Sequence, residues 1–246
     1  GDITNFSLLK KELKKMDIVY NFAGLSNLEY ATQKPFETIK YNIQGLTNIL
    51  EACRINKVKR FIQASSIYAL SEDGGFYSCS KRSGEDYIRE YQKKYKLNFT
   101  ILRYGSIFGL RSDENNGLYK IIENALKKRQ LVYVGSSKTV RNYINVVDAA
   151  YLSIKILRKN FINKHVTLKG GKSIKLPFLL EKLGNMLKIK KKIFFKGANK
   201  HLGHYVINPS TYEVRKGISL KYSPKKSFYE SILETINYVK NDIKKK

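Results

Sequence analysis

Short, mostly apolar runs alternate with amphipathic segments along the first half of the chain. The runs have the length of a β-strand, which is typical of buried parallel strands. They are residues 17–22, 59–66 and 99–104. Apolar residues recur at helical spacing between and after these runs, which predicts helices over residues 35–56, 76–95 and 118–128. Strands and helices that alternate in this way predict an α/β fold with a doubly wound parallel sheet.

The pattern is less regular after Asp148. One strand is predicted at residues 166–168, and helices are predicted over residues 149–157, 176–187 and 228–241. These predicted elements indicate a small α+β portion attached to the sheet. We therefore divide the chain into residues 1–148, which hold the sheet, and residues 149–246, which form most of a substrate-binding portion interleaved with residues 105–145.

One pair of side chains on the second predicted helix has the spacing of a proton-transfer site. Tyr77 and Lys81 are four residues apart and therefore share a helix face. Because an ammonium group stabilises a neighbouring phenolate, the pair predicts a lowered pKa for Tyr77. The spacing alone is weak, since the chain contains 18 tyrosines. Ser65 and Ser66 strengthen it, because they end the preceding strand, where α/β folds place ligand-binding groups.

The order of strand, Ser-Ser, turn and Tyr-x-x-x-Lys helix resembles the extended short-chain dehydrogenases of the NAD-dependent epimerase/dehydratase family. The resemblance covers nearly the whole chain. It also rests on segments that are similar to family motifs at residues 1–3, 19–24, 42–48, 102–109 and 141–148. It implies a Rossmann-like sheet, a nucleotide-diphosphate sugar as substrate, and NAD as cofactor, with NADP left open.

The resemblance also implies a role for each site residue. Tyr77 would act as a phenolate base on a sugar hydroxyl, Lys81 would hold the cofactor ribose, and Ser66 would orient the reacting oxygen. Asn42 would hold a water that relays the proton. The implied substrate contacts are Ser106 and Arg141, and the implied cofactor contacts are Asp2, Ile3, Phe22, Ala23, Gly24, Ser65, Tyr77, Lys81 and Tyr104.

Structural explanations compete with several of these roles. Ser65 and Ser66 could form an ordinary strand end. Asn42 could face solvent, and Arg141 could belong to a surface salt bridge. Asp148 fits a helix N-cap better than a reactive group. No metal site is predicted, because a metal-binding spacing is absent among the three histidines, His165, His201 and His204.

The chain departs from the family pattern at its beginning. No Gly-rich phosphate-binding turn precedes the strand at residues 17–22, so the resemblance implies that the first strands of the sheet are missing from this sequence. On this interpretation we expect the chain alone to bind NAD weakly and to self-associate through the exposed strand edge. A smaller departure is Ser106, which stands where the family often has Asn.

The residues after Ser66 guide the choice among the family's reactions. Ile67 and Tyr68 follow it, where sugar 4,6-dehydratases place acidic residues for elimination. Neither side chain can do the acid/base work of a carboxylate, which disfavours dehydration. We therefore expect an NAD-dependent nucleotide-sugar epimerase. A nucleotide-sugar oxidoreductase or dehydratase of the same family and an inactive truncated fragment are the alternatives.

Charge and composition add one rival class. The net charge is +27, from 47 Lys and Arg against 20 Asp and Glu. The basic residues are spread along the chain and no nucleic-acid recognition module is visible, so we interpret them as solvated surface and keep a polyanion-binding protein as the rival. No signal-peptide pattern or membrane span is present, and Cys53 and Cys79 fit reduced thiols. These features predict a cytoplasmic protein, with a homodimer left open.

Overall fold

The computed structural model describes residues 1–171, 173–189, 193–196 and 217–245. The strands in these ranges are β1 (Ile18–Asn21), β2 (Arg60–Ser66), β3 (Phe99–Tyr104), β4 (Ser106–Phe108), β5 (Leu131–Val134), β6 (Val140–Asn145), β7 (Lys164–Leu168), β8 (Ser173–Lys175), β9 (Ile193–Lys196) and β10 (Ile218–Ser219).

The α-helices in the same ranges are α1 (Phe6–Glu12), α2 (Leu28–Gln33), α3 (Pro35–Ile39), α4 (Leu46–Ile55), α5 (Gly75–Tyr95), α6 (Gly117–Lys128), α7 (Val146–Lys155), α8 (Leu176–Met186) and α9 (Phe228–Lys245). A π-helical turn over Lys40–Gly45 joins α3 to α4, and short 3₁₀ turns occupy Ile67–Leu70 and Lys159–Phe161. Among the described residues, no helix is both long enough and apolar enough to cross a membrane.

Contacts divide the described residues into two compact units. The first unit contains residues 1–104, 153–168 and 217–220. The second unit contains residues 105–152, 169–171, 173–189, 193–196 and 221–245. The chain thus leaves the first unit after Tyr104 and returns to it at Ser153, and the predicted boundary at residue 148 is not one of these contact boundaries.

A parallel sheet forms the centre of the first unit. Its five strands lie in the order β1-β2-β3-β7-β10, and every neighbouring pair is parallel. Strand β3 is buried along its whole length, as is most of β2, which accounts for their apolar sequences. The register pairs Ser65 with Arg103 and Ser66 with Tyr104, so the carboxyl ends of β2 and β3 lie side by side. The predicted α/β fold with a parallel sheet is confirmed.

Helices α4 and α5 contribute to the core of the first unit, together with β1, β2 and β3. Its buried apolar residues include Val19, Leu46, Ile49, Leu50, Cys53, Phe61, Ile88, Phe99 and Ile101. Cys53 in this core and the exposed Cys79 are both free thiols.

The helix predicted over residues 35–56 is interrupted. It consists of α3, the π-helical turn and α4, and the turn buries Asn42 and Gly45. A π-helical turn adds a residue to the helical ring and changes the direction of the side chains it carries. Helical periodicity predicts the segment correctly as helical but does not distinguish the two kinds of turn.

The second unit has smaller sheets and its own core. Strands β4, β6 and β8 form one sheet, in which β4–β6 is parallel and β6–β8 antiparallel, and β5 pairs with β9 in parallel. The buried side chains of α6, α8 and α9 form the core with Phe108, Leu131 and Tyr143. These short strands are not among the predicted elements.

Leu50 provides a test of the first-unit core. It lies on α4 and is fully buried. Leu50→Ala should lower the free energy of unfolding by about 2–5 kcal/mol, because it removes buried apolar contacts and leaves a cavity. Urea denaturation measures this change. Ile154→Ala, at a side chain that is 66% exposed on α7, is the control and should change stability by no more than about 0.5 kcal/mol. An equally small effect of Leu50→Ala would contradict the core assignment.

Candidate active site

Helix α5 carries Tyr77 and Lys81 in its first two turns. It begins after Gly74, whose φ of +97° is a conformation that other residues rarely adopt. The buried face of the helix then presents Tyr77, Ser78, Ser80, Gly84, Glu85 and Ile88. The helix thus begins at two glycines. Its buried polar face places the predicted Tyr–Lys pair inside the first unit.

The Tyr77 side chain lies next to that of Ser66, the last residue of β2. Both side chains are buried, and the ring of Tyr68 meets the Tyr77 ring edge-on at 6.0 Å. Burial raises the pKa of Tyr77 to about 12, and the neighbouring Ser66 hydroxyl opposes that rise. The predicted lowering of the Tyr77 pKa is therefore wrong for this structure, because desolvation of the phenolate outweighs the effect of Ser66.

Lys81 lies beside this phenol. Its Nζ is 5.6 Å from the centre of the Tyr77 ring and donates to the Ala64 carbonyl at 3.2 Å. Burial lowers the pKa of Lys81 to about 8, and the Glu85 carboxylate opposes that effect. The ammonium form therefore predominates at neutral pH, within reach of the phenol and of the end of β2.

Asn42 is buried and does not face solvent. Its Nδ2 donates to the Leu25 carbonyl at 3.0 Å and to Ser80 Oγ at 2.9 Å, and its Oδ1 accepts from Leu25 N at 2.7 Å. Ser80 Oγ in turn donates to the Tyr77 carbonyl at 2.8 Å. Both amide hydrogens are thus occupied, and the side chain joins the loop after β1 to the helix that carries Tyr77. The proton-relaying water stays a prediction.

Four of the predicted cofactor residues surround one open cavity near the carboxyl end of β1. Its volume is about 390 Å³, and it is lined by Gly1, Asp2, Ile3, Ala23, Gly24, Leu25 and Tyr41. Gly24 has a φ of +136°, and a Cβ there would lie 2.5 Å from Asn42 Oδ1. A larger residue at this position would therefore displace Asn42.

The beginning of the chain differs from the strand end that it resembles. Residues 1–3 form no strand. The Asp2 carboxylate instead accepts hydrogen bonds from Thr4 N at 2.7 Å and Thr4 Oγ1 at 2.8 Å, and these bonds lower its pKa.

The remaining predicted cofactor residues, Phe22, Ser65 and Tyr104, lie at or next to the carboxyl ends of β1, β2 and β3. The exposed Phe22 ring stacks on Tyr20 with ring centres 5.9 Å apart. Ser65 is buried and donates to Glu85 Oε1 at 2.6 Å. The Tyr104 hydroxyl shares a hydrogen bond of 2.5 Å with Ser153 Oγ. The side chains of Ser65 and Tyr104 therefore already have partners within the protein.

A buried ion pair lies one helical turn beyond Lys81. Arg103 donates from Nε to Glu85 Oε1 at 2.9 Å and from Nη2 to Glu85 Oε2 at 2.5 Å, and both side chains are almost fully buried. Neither residue is among the predicted site residues. Two signals were available: Glu85 extends the spacing of Tyr77 and Lys81 by another four residues, and Arg103 interrupts an apolar strand, where a charge requires a partner.

The predicted substrate residues Ser106 and Arg141 lie in the second unit, on β4 and β6. Arg141 is buried, which contradicts the surface salt-bridge alternative. Its guanidinium donates to the Tyr133 hydroxyl and to the Val140 carbonyl, each at 3.2 Å. These bonds hold the guanidinium of Arg141 in a defined orientation.

The helix N-cap predicted at Asp148 is wrong. Helix α7 begins two residues earlier, and Asn145 Oδ1 accepts from Val147 N at 2.8 Å. Asp148 is buried in the first turn and accepts from the Tyr222 hydroxyl at 3.3 Å and from Lys225 N at 3.4 Å. In the described part of the chain, no three His, Cys, Asp or Glu side chains could hold a metal. His201 and His204 lie outside the described residues.

Comparisons with known proteins identify related sequences and structures. The family model described as "NAD dependent epimerase/dehydratase family" matches residues 1–168. A putative UDP-glucose 4-epimerase of Methanocaldococcus jannaschii is 24% identical over 98% of this chain and 83% of the relative. A dTDP-D-glucose 4,6-dehydratase of Dictyostelium discoideum is 28% identical over 66% of this chain and 43% of the relative.

Among solved structures, a UDP-glucuronic acid 4-epimerase from Bacillus cereus in complex with UDP-glucuronic acid and NAD superposes with a TM-score of 0.85. The identity is 22%, and the match covers 98% of this chain and 80% of the other. This likeness confirms the predicted Rossmann-like fold.

The desolvated ammonium of Lys81 predicts a pH dependence of stability. The folded chain releases the Lys81 proton near pH 8, whereas a lysine in the unfolded chain keeps it up to its ordinary pKa of 10.5. Because the unfolded state then binds more protons, this group makes the folded state gain stability as the pH rises from about 8 to about 10.5. Lys81→Met should lack that gain, so its stability relative to the wild type should fall over the same range.

Urea denaturation at several pH values measures this difference. Lys138→Met, at an exposed lysine, is the matched control and should follow the wild-type pH dependence. Parallel curves for Lys81→Met and the wild type would show that Lys81 is not desolvated.

Proposed function

Since the chain belongs to the NAD dependent epimerase/dehydratase family, we propose that it is an NAD-dependent epimerase of a nucleotide-diphosphate sugar. The observation that carries the proposal is the placement of the Tyr77 phenol next to the Ser66 side chain at the carboxyl end of β2, with Lys81 Nζ 5.6 Å from the centre of the Tyr77 ring. Two hydroxyls at a strand end can hold a substrate hydroxyl between them, and the neighbouring cation favours its deprotonation.

The first unit offers features that fit NAD. The cavity near β1 contains a glycine, Gly24, at a position where a Cβ would displace Asn42, and the Lys81 ammonium is a donor suited to ribose hydroxyls. When bound, NAD would supply the hydride acceptor for this chemistry, and its reduced form the hydride donor. The residues that we assign to its binding are Asp2, Ile3, Phe22, Ala23, Gly24, Ser65, Tyr77, Lys81 and Tyr104.

Tyr77 acts as the base, and its environment sets the conditions for that role. Burial holds its pKa near 12, so the phenol is protonated at neutral pH in this structure. Ionisation requires positive charge and hydrogen-bond donors close to the phenol oxygen. Lys81 supplies charge below about pH 8, and the Ser66 hydroxyl can donate to the phenolate. Turnover therefore depends on Lys81 being protonated.

The residues after Ser66 favour epimerisation over dehydration. Ile67 is buried and Tyr68 packs its ring on Tyr77. Neither provides the carboxylate that elimination of water needs. Since a dTDP-D-glucose 4,6-dehydratase is among the relatives, the two reactions need to be separated directly. Incubation with UDP- and dTDP-hexoses distinguishes them by mass spectrometry and chromatography: an epimer keeps the substrate mass, whereas a dehydration product has lost one water.

Arg141 and Ser106 are the proposed diphosphate contacts of the second unit. A guanidinium is planar and permanently charged, which suits a diphosphate. The bonds from Arg141 to Tyr133 and Val140 orient this group before a ligand arrives.

Tyr77→Phe tests the base. The variant should keep its fold and its affinity for NAD, because Lys81 and the strand ends do most of the holding. Its turnover should fall by about 10²–10⁴-fold, the usual contribution of a general base. Tyr87→Phe, at an exposed tyrosine on the same helix, is the matched control. A Tyr77→Phe variant that keeps about a tenth or more of the wild-type turnover would show that the base lies elsewhere. Lys81→Ala should lose both turnover and NAD affinity.

Arg141→Ala tests the diphosphate contact. Loss of one charge-assisted hydrogen bond should raise the KM for the nucleotide sugar about ten- to a hundred-fold. The exposed Arg158 on the first unit gives the control variant, Arg158→Ala, which should keep the wild-type KM. An unchanged KM in Arg141→Ala would assign Arg141 to the stability of β6 instead.

A further inference from the structure

We propose that Glu85 is a positioning residue for the Tyr77–Lys81 site. Its carboxylate ties helix α5, one turn beyond Lys81, to the ends of β2 and β3, and the four-residue spacing puts it on the same helix face as Lys81. The inference rests on the proposed function, because it concerns how Lys81 is held for that reaction.

The Glu85 carboxylate accepts hydrogen bonds from both strand ends. Ser65 Oγ on β2 donates at 2.6 Å, and Arg103 on β3 donates from Nε at 2.9 Å and from Nη2 at 2.5 Å. Ser65 and Arg103 are register partners in the parallel sheet. Ala64, the residue before Ser65, accepts the hydrogen bond from Lys81. Lys81 and Glu85 thus hold adjacent residues of β2 from one face of α5.

Stability alone does not account for this ion pair. Buried ion pairs can often be replaced by apolar residues without loss of stability, since the cost of removing two charges from water offsets their attraction. Here the Glu85 carboxylate also acts on a third charged group, the Lys81 ammonium. Burial lowers the pKa of Lys81 to about 8, and Glu85 is the group that raises it. Without this carboxylate, Lys81 would lose its proton at a lower pH, and Tyr77 would lose the cation that stabilises its phenolate.

The other titratable groups around this site keep one charge state over the pH range in which Lys81 titrates. Tyr77 on α5 is protonated, because its pKa is about 12. His165 on β7 has its Nε2 3.6 Å from Glu85 Oε2, and burial lowers its pKa, so it is neutral at that pH. Arg103 on β3 keeps its charge. From β2, Ser65 and Ser66 contribute only hydroxyls. Glu85 is therefore the acidic group that we expect to shift the Lys81 titration.

The test is the titration of Lys81 in Glu85→Gln. NMR of protein labelled at lysine Cε follows the Lys81 signal with pH, and its absence from Lys81→Arg assigns it. We expect the midpoint in Glu85→Gln to lie at lower pH than in the wild type, and the alkaline limb of the turnover profile to move in the same direction. Glu90→Gln is the same substitution on α5, at an exposed residue paired with Lys93, and should leave the midpoint unchanged.

A second variant separates positioning from folding. Glu85→Gln leaves the Arg103 guanidinium buried without its carboxylate, which destabilises the chain. Glu85→Gln/Arg103→Gln removes both charges and keeps side-chain amides for hydrogen bonding, and the same downward shift is expected. An unchanged midpoint in either folded variant overturns the proposal. So does failure of both variants to fold, because the pair would then serve stability instead of Lys81.

The Lys81 titration requires neither cofactor nor turnover. Its result is therefore independent of the Tyr77→Phe experiment. A downward shift together with full turnover in Tyr77→Phe would keep the coupling between Glu85 and Lys81 and reject the proposed function.

Discussion

Removing a charged side chain from water is costly unless other groups take the place of the solvent, and this constraint organises the first unit. Lys81 donates to the Ala64 carbonyl, and Glu85 accepts from Ser65 and Arg103, so these bonds join α5 to the ends of β2 and β3. A shift of α5 along the sheet would break these bonds and leave charges unpaired. The position of Tyr77 above Ser66 follows from the same restraint, because Tyr77 and Lys81 are one turn apart on the same rigid helix.

The central strands could be predicted from the sequence because burial on both faces favours runs of mostly apolar and small residues. The predicted runs at residues 59–66 and 99–104 correspond closely to β2 and β3. Strands such as β4 and β8, with three residues each, are too short to show a period. The π-helical turn carries Asn42, whose partners Leu25 and Ser80 are distant along the chain, and no local propensity encodes such partners.

Part of the site could also be predicted, because it follows from local patterns in the sequence. Helical spacing places Tyr77 and Lys81 on one face, and a strand end places Ser66 beside them, so their meeting follows from local rules. The pKa of Tyr77 does not, because it depends on how completely the surrounding fold excludes water. The four-residue spacing suggests that the Lys81 cation lowers the pKa of Tyr77, whereas burial raises this pKa to about 12. The number of residues between two groups contains no information about the dielectric environment they will share.

Desolvation raises the pKa of Tyr77 and lowers the pKa of Lys81, and in both cases it disfavours the charged form of the side chain. With the phenol pKa near 12 and the ammonium pKa near 8, the pair in this structure is neutral between those values. Below about pH 8 the lysine carries a charge while the phenol keeps its proton. A phenolate beside an ammonium is therefore not the resting state at any pH, and forming it requires the environment of the phenol to change. A ligand that binds at these strand ends changes both the charge and the water content around the phenol. In the proposed mechanism, proton abstraction by Tyr77 would therefore require an occupied site, since the free site keeps the phenol protonated.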